Sequence, residues 1–185
     1  MKVLIDMDGI VADLLGKWLR VYNDEYGANL CKEDVHCFDM NQAFPGHLNL
    51  VPIIFREKFF DDLEVIDGAQ TGVQRIRDAG HDVRFCSAVC SDDSARAKLS
   101  WLRRYFDVSS KHVYLCNEKW DVLGDVLIDD KPENQENWLK HTQKPVFSLE
   151  HPYNRHVKGV HLAPDWQELT DLFFSVVGQV ESAYV

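Results

Sequence analysis

The chain of 185 residues reads as an α/β protein with a doubly wound parallel sheet. Three observations predict this class. Six short runs rich in β-branched and aromatic residues recur along it, and their nearly unbroken apolar character suits strands covered on both faces. Helical patterns with recognisable starts and stops lie between most of these runs, as right-handed βαβ units require. One gap, after the first run, is far too long for a simple crossover and predicts an insertion.

The first strand is "KVLID" (2–6). It is followed by "LLGKWLRVYNDEYG" (14–27), a helical pattern, and then by the irregular "CKEDVHCFDMNQAFPGH" and the returning "FREKFFDDLEVIDGAQ". We expect residues 1–14 and 67–185 to form the α/β core, with 15–66 a small, mostly helical cap over the sheet's carboxyl edge. "TGVQRIRDAG" (71–80) ends on a glycine suited to a helix C-terminus. "DVRFCSA" (82–88) is the second strand, and "SDDSARAKLSWLRRYF" (91–106) a helix opened by capping residues. "HVYLC" (112–116) and "DVLIDD" (125–130) continue the sheet. "PENQENWLKH" (132–141) starts with Pro132 and Glu133, good first-turn residues. "PVFSL" (145–149) and "GVHLA" (159–163) complete the strands, and "PDWQELTDLFFSVVGQV" (164–180) is a closing amphipathic helix.

Composition narrows the function. A chain that is 45% hydrophobic and 27% charged, with no apolar run of membrane-spanning length, predicts a globular protein with no membrane role. The start, "MKVLIDMDG", lacks the apolar stretch of a secretory signal, so a cytoplasmic location is expected. The five cysteines form neither a CxxC pair nor a zinc spacing and read as reduced thiols. A net charge of -10 without a Lys/Arg stripe argues against long nucleic acid as a partner. A small phosphate can still bind if a divalent cation and a few placed donors reverse the sign locally.

The informative residues gather at one sheet edge. Asp6, Asp8 and Asp13 crowd behind the first strand, Ser87 ends the second, Asn117 to Lys119 follow the third, and Asp129 with Asp130 follow the fourth. Open α/β sheets bind ligands beyond the carboxyl ends of their strands. Crowded carboxylates resist joint ionisation, and a divalent cation removes that cost. All-oxygen ligands with no His/Cys cluster match Mg²⁺. Carboxylate, metal, hydroxyl and lysine together are the parts for phosphoryl transfer: one aspartate attacks phosphorus, and a second, two residues on, handles the proton.

"DMDGIVAD" resembles the first motif of the haloacid dehalogenase superfamily of phosphatases, a Rossmannoid fold with a cap after strand one. Ser87 in "RFCSA", Lys119 in "NEKW" and the acidic pair in "GDVLIDDKPEN" resemble its other three motifs, in order over about 130 residues. "LGDVLIDDK" (123–131), "FFDDLEVIDGA" (59–69) and "YNRHV" (153–157) are similar to segments of the 5'(3')-deoxyribonucleotidases. The resemblance implies Asp6 as nucleophile and Asp8 as acid/base that also offers its backbone carbonyl to Mg²⁺. It implies Asp130 as the remaining carboxylate ligand and Asp129 as the residue that orients Lys119, although the sequence leaves these adjacent aspartates interchangeable. Gly9 is expected to let the backbone approach the phosphate.

By the same resemblance the cap covers a nucleoside monophosphate. Its aromatic residues, Trp18, Tyr22, Phe38, Phe44, Phe55 and Phe60 among them, offer rings for a base to stack on, and Phe44, before Pro45-Gly46, is the expected base-pocket residue. Two departures stand out: Ser87 replaces a common threonine, and Ala88 occupies a substrate-binding position where a second hydroxyl is often found. The predicted function is Mg²⁺-dependent hydrolysis of nucleoside 5'(3')-monophosphates through an aspartyl-phosphate. A phosphatase for a sugar phosphate is the alternative, and a Mg²⁺-binding receiver-like module a distant one, since there the acidic pair follows strand one. Oligomeric state, a homodimer included, is left open.

Overall fold

A computed structural model describes residues 1–44, 53, 54, 56 and 58–182. Six parallel strands form one sheet: β1 (Lys2–Ile5), β2 (Asp82–Ser87), β3 (Val113–Leu115), β4 (Val126–Ile128), β5 (Val146–Leu149) and β6 (Val160–Ala163). Their order is β3-β2-β1-β4-β5-β6, so the winding direction reverses between β1 and β4. All six coincide with the apolar runs. A crevice opens at such a reversal, outside the carboxyl ends of the strands.

The strands alternate their side chains between two apolar layers, as a pleated sheet must. Val3, Ile5, Phe85, Val126, Ile128 and Phe147 face the larger core. Leu4, Cys86, Leu127 and Val146 face a smaller one closed by Trp138. Helices α3 (Ala69–Asp78), α4 (Asp92–Phe106) and α6 (Trp166–Ser182) contribute to the larger layer through residues such as Val73, Trp101 and Phe173. Trp138 belongs to α5 (Pro132–Thr142). These helices follow the cues in the sequence closely: Pro132 sits in the first turn of α5, and Ser91 caps α4 by accepting from the Ser94 N–H.

Between β1 and α3 the chain first forms α1 (Leu14–Tyr26), which buries Leu15, Trp18, Leu19 and Tyr22 on one face. Gly27, at φ 61°, ends it in the left-handed region. Asp13, one of the crowded aspartates, caps α1 by accepting from the Gly16 N–H and pairs with Lys32 at 2.7 Å, so it serves the helix and not the site. Further helix among the described residues here consists of a short turn at Lys32–Asp34, the single turn α2 (Met40–Ala43) and a 3-10 stretch at 53–54, less than the helical character expected of 15–66. Beyond α1 the described residues here add Val35, Ile53, Phe59, Phe60 and Leu63 to the larger core. The chain leaves and re-enters through a narrow stem. Asp13 N–H donates to Glu64 O and Ile66 N–H to Val11 O, both at 2.9 Å. Phe55 and the Pro45-Gly46 pair lie outside the described residues. No helix among the described residues is long and apolar enough to cross a membrane.

Candidate active site

The carboxyl ends of β1 and β4 deliver three buried aspartates, Asp6, Asp129 and Asp130, with one oxygen of each within 4.8 Å of the others. Their surroundings assign them different work. Asp129 is saturated: its Oδ1 accepts from the Lys131 N–H at 2.9 Å, its Oδ2 from Lys119 at 2.5 Å, and the Asn134 amide reaches both oxygens. That leaves no lone-pair direction for a cation. Asp6 Oδ1 alone accepts from the Met7 N–H and pairs with the Lys119 ammonium, both at 2.7 Å. Asp130 accepts the Tyr153 hydroxyl on Oδ2 alone. The second oxygens of Asp6 and Asp130 carry no hydrogen bond among the described residues. The pair has the donor chemistry of a hard divalent cation held by two carboxylates.

Electrostatics agree. Burial raises the Asp130 carboxyl well above its ordinary range, and the charges of Asp129 and Asp6 add to the push. Burial lifts Asp129 to about 6 against the pull of Lys119. Burial alone would lower the Lys119 ammonium, but Asp129 and Asp6 hold it above its usual value. Such a cluster of negative charge favours a bound cation.

Asp8 stands apart from the triad. Burial raises its pKa, partly offset by Lys98, with the Asp6 charge adding to the rise. Its Oδ2 accepts from Lys98, while its Oδ1 is buried without a partner. A carboxyl with a raised pKa and an unsatisfied oxygen is equipped to carry a proton.

Lys98 was not anticipated from the sequence. It is 3% exposed, and its ammonium binds Asp8, Ser87 Oγ at 3.1 Å and Ala88 O at 2.6 Å, over the Phe60 ring. The missed signal was its phase: Ser94, Lys98, Trp101 and Leu102 form the buried stripe of α4. A lysine in such a stripe needs a charged partner. Ser87, expected to meet the phosphate, is fully buried and absent from the cavity wall; its hydroxyl supports Lys98. Ala88 does line the cavity.

Gly9 has a sharper reason to be glycine than close approach of a ligand. Its φ is +72°, and a Cβ there would lie 2.1 Å from Asp130 Oδ2. The carboxylate of β4 occupies the space a side chain would take.

Above these groups lies a cavity of about 780 Å³, within the range of about 300–1,000 Å³ usual for small-molecule sites. Asp6, Asp8, Gly9, Lys98, Lys119 and Asp130 meet it at the sheet edge, and Trp18, Phe38, Met40, Ile54 and Phe60 form the facing wall. Phe44 does not line it. Its ring stacks instead on Trp18 and Tyr22, at centroid distances of 6.0 and 5.9 Å. Phe38 does line the cavity; its ring meets Tyr153 in a T-shaped contact at 5.6 Å and carries the Lys131 ammonium on its face. In an irregular segment, sequence offers no periodicity to choose between the two rings.

Comparison with known proteins follows this geometry. A family model described as "5' nucleotidase, deoxy (Pyrimidine), cytosolic type C protein" matches residues 1–180. The 5'(3')-deoxyribonucleotidase of Bacillus subtilis (strain 168) is 29% identical over 171 residues, covering 90% of this chain and 95% of the relative. Among solved structures, a haloacid dehalogenase-like family hydrolase from Xanthomonas campestris superposes with a TM-score of 0.62 at 12% identity, covering 98% of each chain. The D,D-heptose 1,7-bisphosphate phosphatase of B. bronchiseptica, solved with magnesium and phosphate, gives 0.56 at 10% identity, covering 95% of this chain and 99% of that one.

Proposed function

Because the chain belongs to the family described as 5' nucleotidase, deoxy (Pyrimidine), cytosolic type C, phosphoric monoester hydrolases of haloacid-dehalogenase-like fold, we propose that it hydrolyses nucleoside 5'(3')-monophosphates, deoxyribonucleotides foremost, with Mg²⁺. One observation carries this reading. The unengaged oxygens of Asp6 and Asp130 and the unpartnered Asp8 oxygen belong to residues at one end of a cavity whose facing wall is apolar and aromatic.

Asp6 and Asp130 would hold Mg²⁺, with the Asp8 carbonyl as a third protein ligand. The ion would neutralise phosphate charge and orient the ester. The oxygen of Asp6 that is not given to the ion attacks phosphorus, the ester P–O bond breaks, and the Asp8 carboxyl gives its proton to the leaving oxygen. Asp8, now ionised, takes a proton from water as that water attacks the aspartyl-phosphate. Phosphate leaves and both aspartates are restored. Lys119 shields Asp6, Lys98 holds Asp8 in place, and both ammonium groups face the charge that builds on the phosphoryl oxygens. Ser87 acts through Lys98, Gly9 and Ala88 supply backbone beside the phosphate, and residues 15–66 act as the cap, with Phe38 under the base.

The test is phosphate release from deoxy- and ribonucleoside 5'- and 3'-monophosphates beside sugar phosphates, with Mg²⁺ or with EDTA. Fast Mg²⁺-dependent cleavage confined to nucleotides is expected. A preference for sugar phosphates would discard the nucleotide reading and keep the chemistry, whereas activity unaffected by EDTA would remove the metal.

A further inference from the structure

The geometry points to Tyr153 as a positioning residue that fixes Asp130 for its cation and ties that ligand to the cap. This inference rests on the metal reading of Asp130 given above. Tyr153 is 3% exposed and lies in the loop after β5, a segment with no role in the proposed chemistry. Its hydroxyl donates to Asp130 Oδ2. That same oxygen occupies the space where a Gly9 Cβ would stand. One carboxylate oxygen therefore both accepts the tyrosine hydroxyl and packs against the glycine, which favours a single setting of the carboxylate.

The tyrosine is itself held. Asn154, fully buried, donates its amide to Leu149 O at 2.9 Å and to Ser148 Oγ at 3.1 Å, and its Oδ1 accepts from the His151 N–H at 2.9 Å. The same amide reaches Asp130 O at 3.3 Å, so loop and ligand share an anchor. His151 stacks on the Tyr153 ring at 4.9 Å with planes 10° apart. That ring also meets Phe38 in a T-shaped contact. A partner that orients a metal-binding carboxylate changes metal affinity by about 10- to 100-fold when removed.

Tyr153→Phe keeps the ring against His151 and Phe38 and deletes only the donor. We expect its Mg²⁺ dissociation constant, measured by calorimetry on protein without substrate, to rise by about tenfold or more. Asp130→Asn, titrated in parallel, should lose Mg²⁺ binding. If Asp130→Asn loses it while Tyr153→Phe binds as tightly as the unmodified protein, the positioning role is wrong and the metal reading stands. If Asp130→Asn binds Mg²⁺ normally, the metal reading fails and takes this inference with it. A second measurement needs no variant: Mg²⁺ drawing on Asp130 weakens the acceptor of the Tyr153 hydroxyl, so adding Mg²⁺ should give a tyrosine absorption difference spectrum. A flat difference spectrum at saturating Mg²⁺ would also overturn the role.

Discussion

Lys119 and Asp129 form a buried ion pair, with Nζ 2.5 Å from Oδ2 and side-chain exposures of 1% and 0%. The same ammonium lies 2.7 Å from Asp6, so one cation balances two buried carboxylates. Breaking a buried pair from one side leaves the other charge uncompensated, at a cost of about 3–5 kcal/mol. Lys119→Met should lose about that much stability in urea titrations as well as turnover. Unchanged unfolding with lost turnover would mean that the lysine serves the chemistry alone.

Asp6→Asn separates chemistry from fold. The amide preserves shape and can still accept from the Met7 N–H. It cannot attack phosphorus, so phosphate release should fall by about a thousandfold or more. The melting temperature should move by no more than the few degrees that about 1 kcal/mol represents. Undiminished hydrolysis would remove Asp6 as the nucleophile.

The framework was legible because it is written locally. All six strands are short apolar runs, and the turns after them carry Asp6, Asp8, Lys119, Asp129 and Asp130 at spacings that a parallel sheet converts into one edge. What sequence could not supply was tertiary partnership. Asp129 and Asp130 are neighbours of identical chemistry, and only the full set of donors around Asp129 separates the buttress from the ligand candidate. Lys98 is marked only by its place in the buried stripe of α4, and its partners Asp8 and Ser87 lie on other elements. Tyr153 acts across 23 residues of chain, and nothing local announces its partner. In the irregular segment after α1, Phe38 and Phe44 were indistinguishable as types.

Phe38 and Phe44 should therefore respond differently to truncation. Stacking a base on an aromatic ring is worth about 1–3 kcal/mol, so Phe38→Ala should raise KM for a nucleotide by about tenfold with little change in kcat. Phe44→Ala removes a partly buried ring from the Trp18 and Tyr22 stack. Its expected effect is a stability loss of about 1–2 kcal/mol, below that of a fully buried ring, with KM nearly unchanged. The opposite pattern in steady-state kinetics and thermal melts would return Phe44 to the base pocket.

Trp101 tests the scaffold beneath the site. It is 1% exposed and donates its indole N–H to Leu63 O at 2.8 Å, which ties α4 to the chain just before the stem. Trp101→Ala opens a cavity and strands that carbonyl, which predicts a loss of about 3–5 kcal/mol. Stability should fail before chemistry: at low temperature, kcat per folded molecule should fall far less than in Asp6→Asn. A variant that melts normally but has lost turnover would place Trp101 in the site.

Cys116 carries the pH prediction. It follows β3 directly and is half-buried, with its sulfur 3.4 Å from that of the fully buried Cys86 on the neighbouring strand. A hydrogen bond from the Cys86 thiol lowers Cys116 to about 7 against the effect of burial, with Lys119 helping, while the same bond and burial push Cys86 upward. The thiolate is the reactive form, so alkylation of Cys116 should rise with pH through about 7 and level off, while Cys86 stays inert. Iodoacetamide rates read peptide by peptide in a mass spectrometer measure both sites at once. In Cys86→Ala the donor is gone, and the Cys116 midpoint should move up; a midpoint unmoved by that substitution would assign the lowered pKa to Lys119.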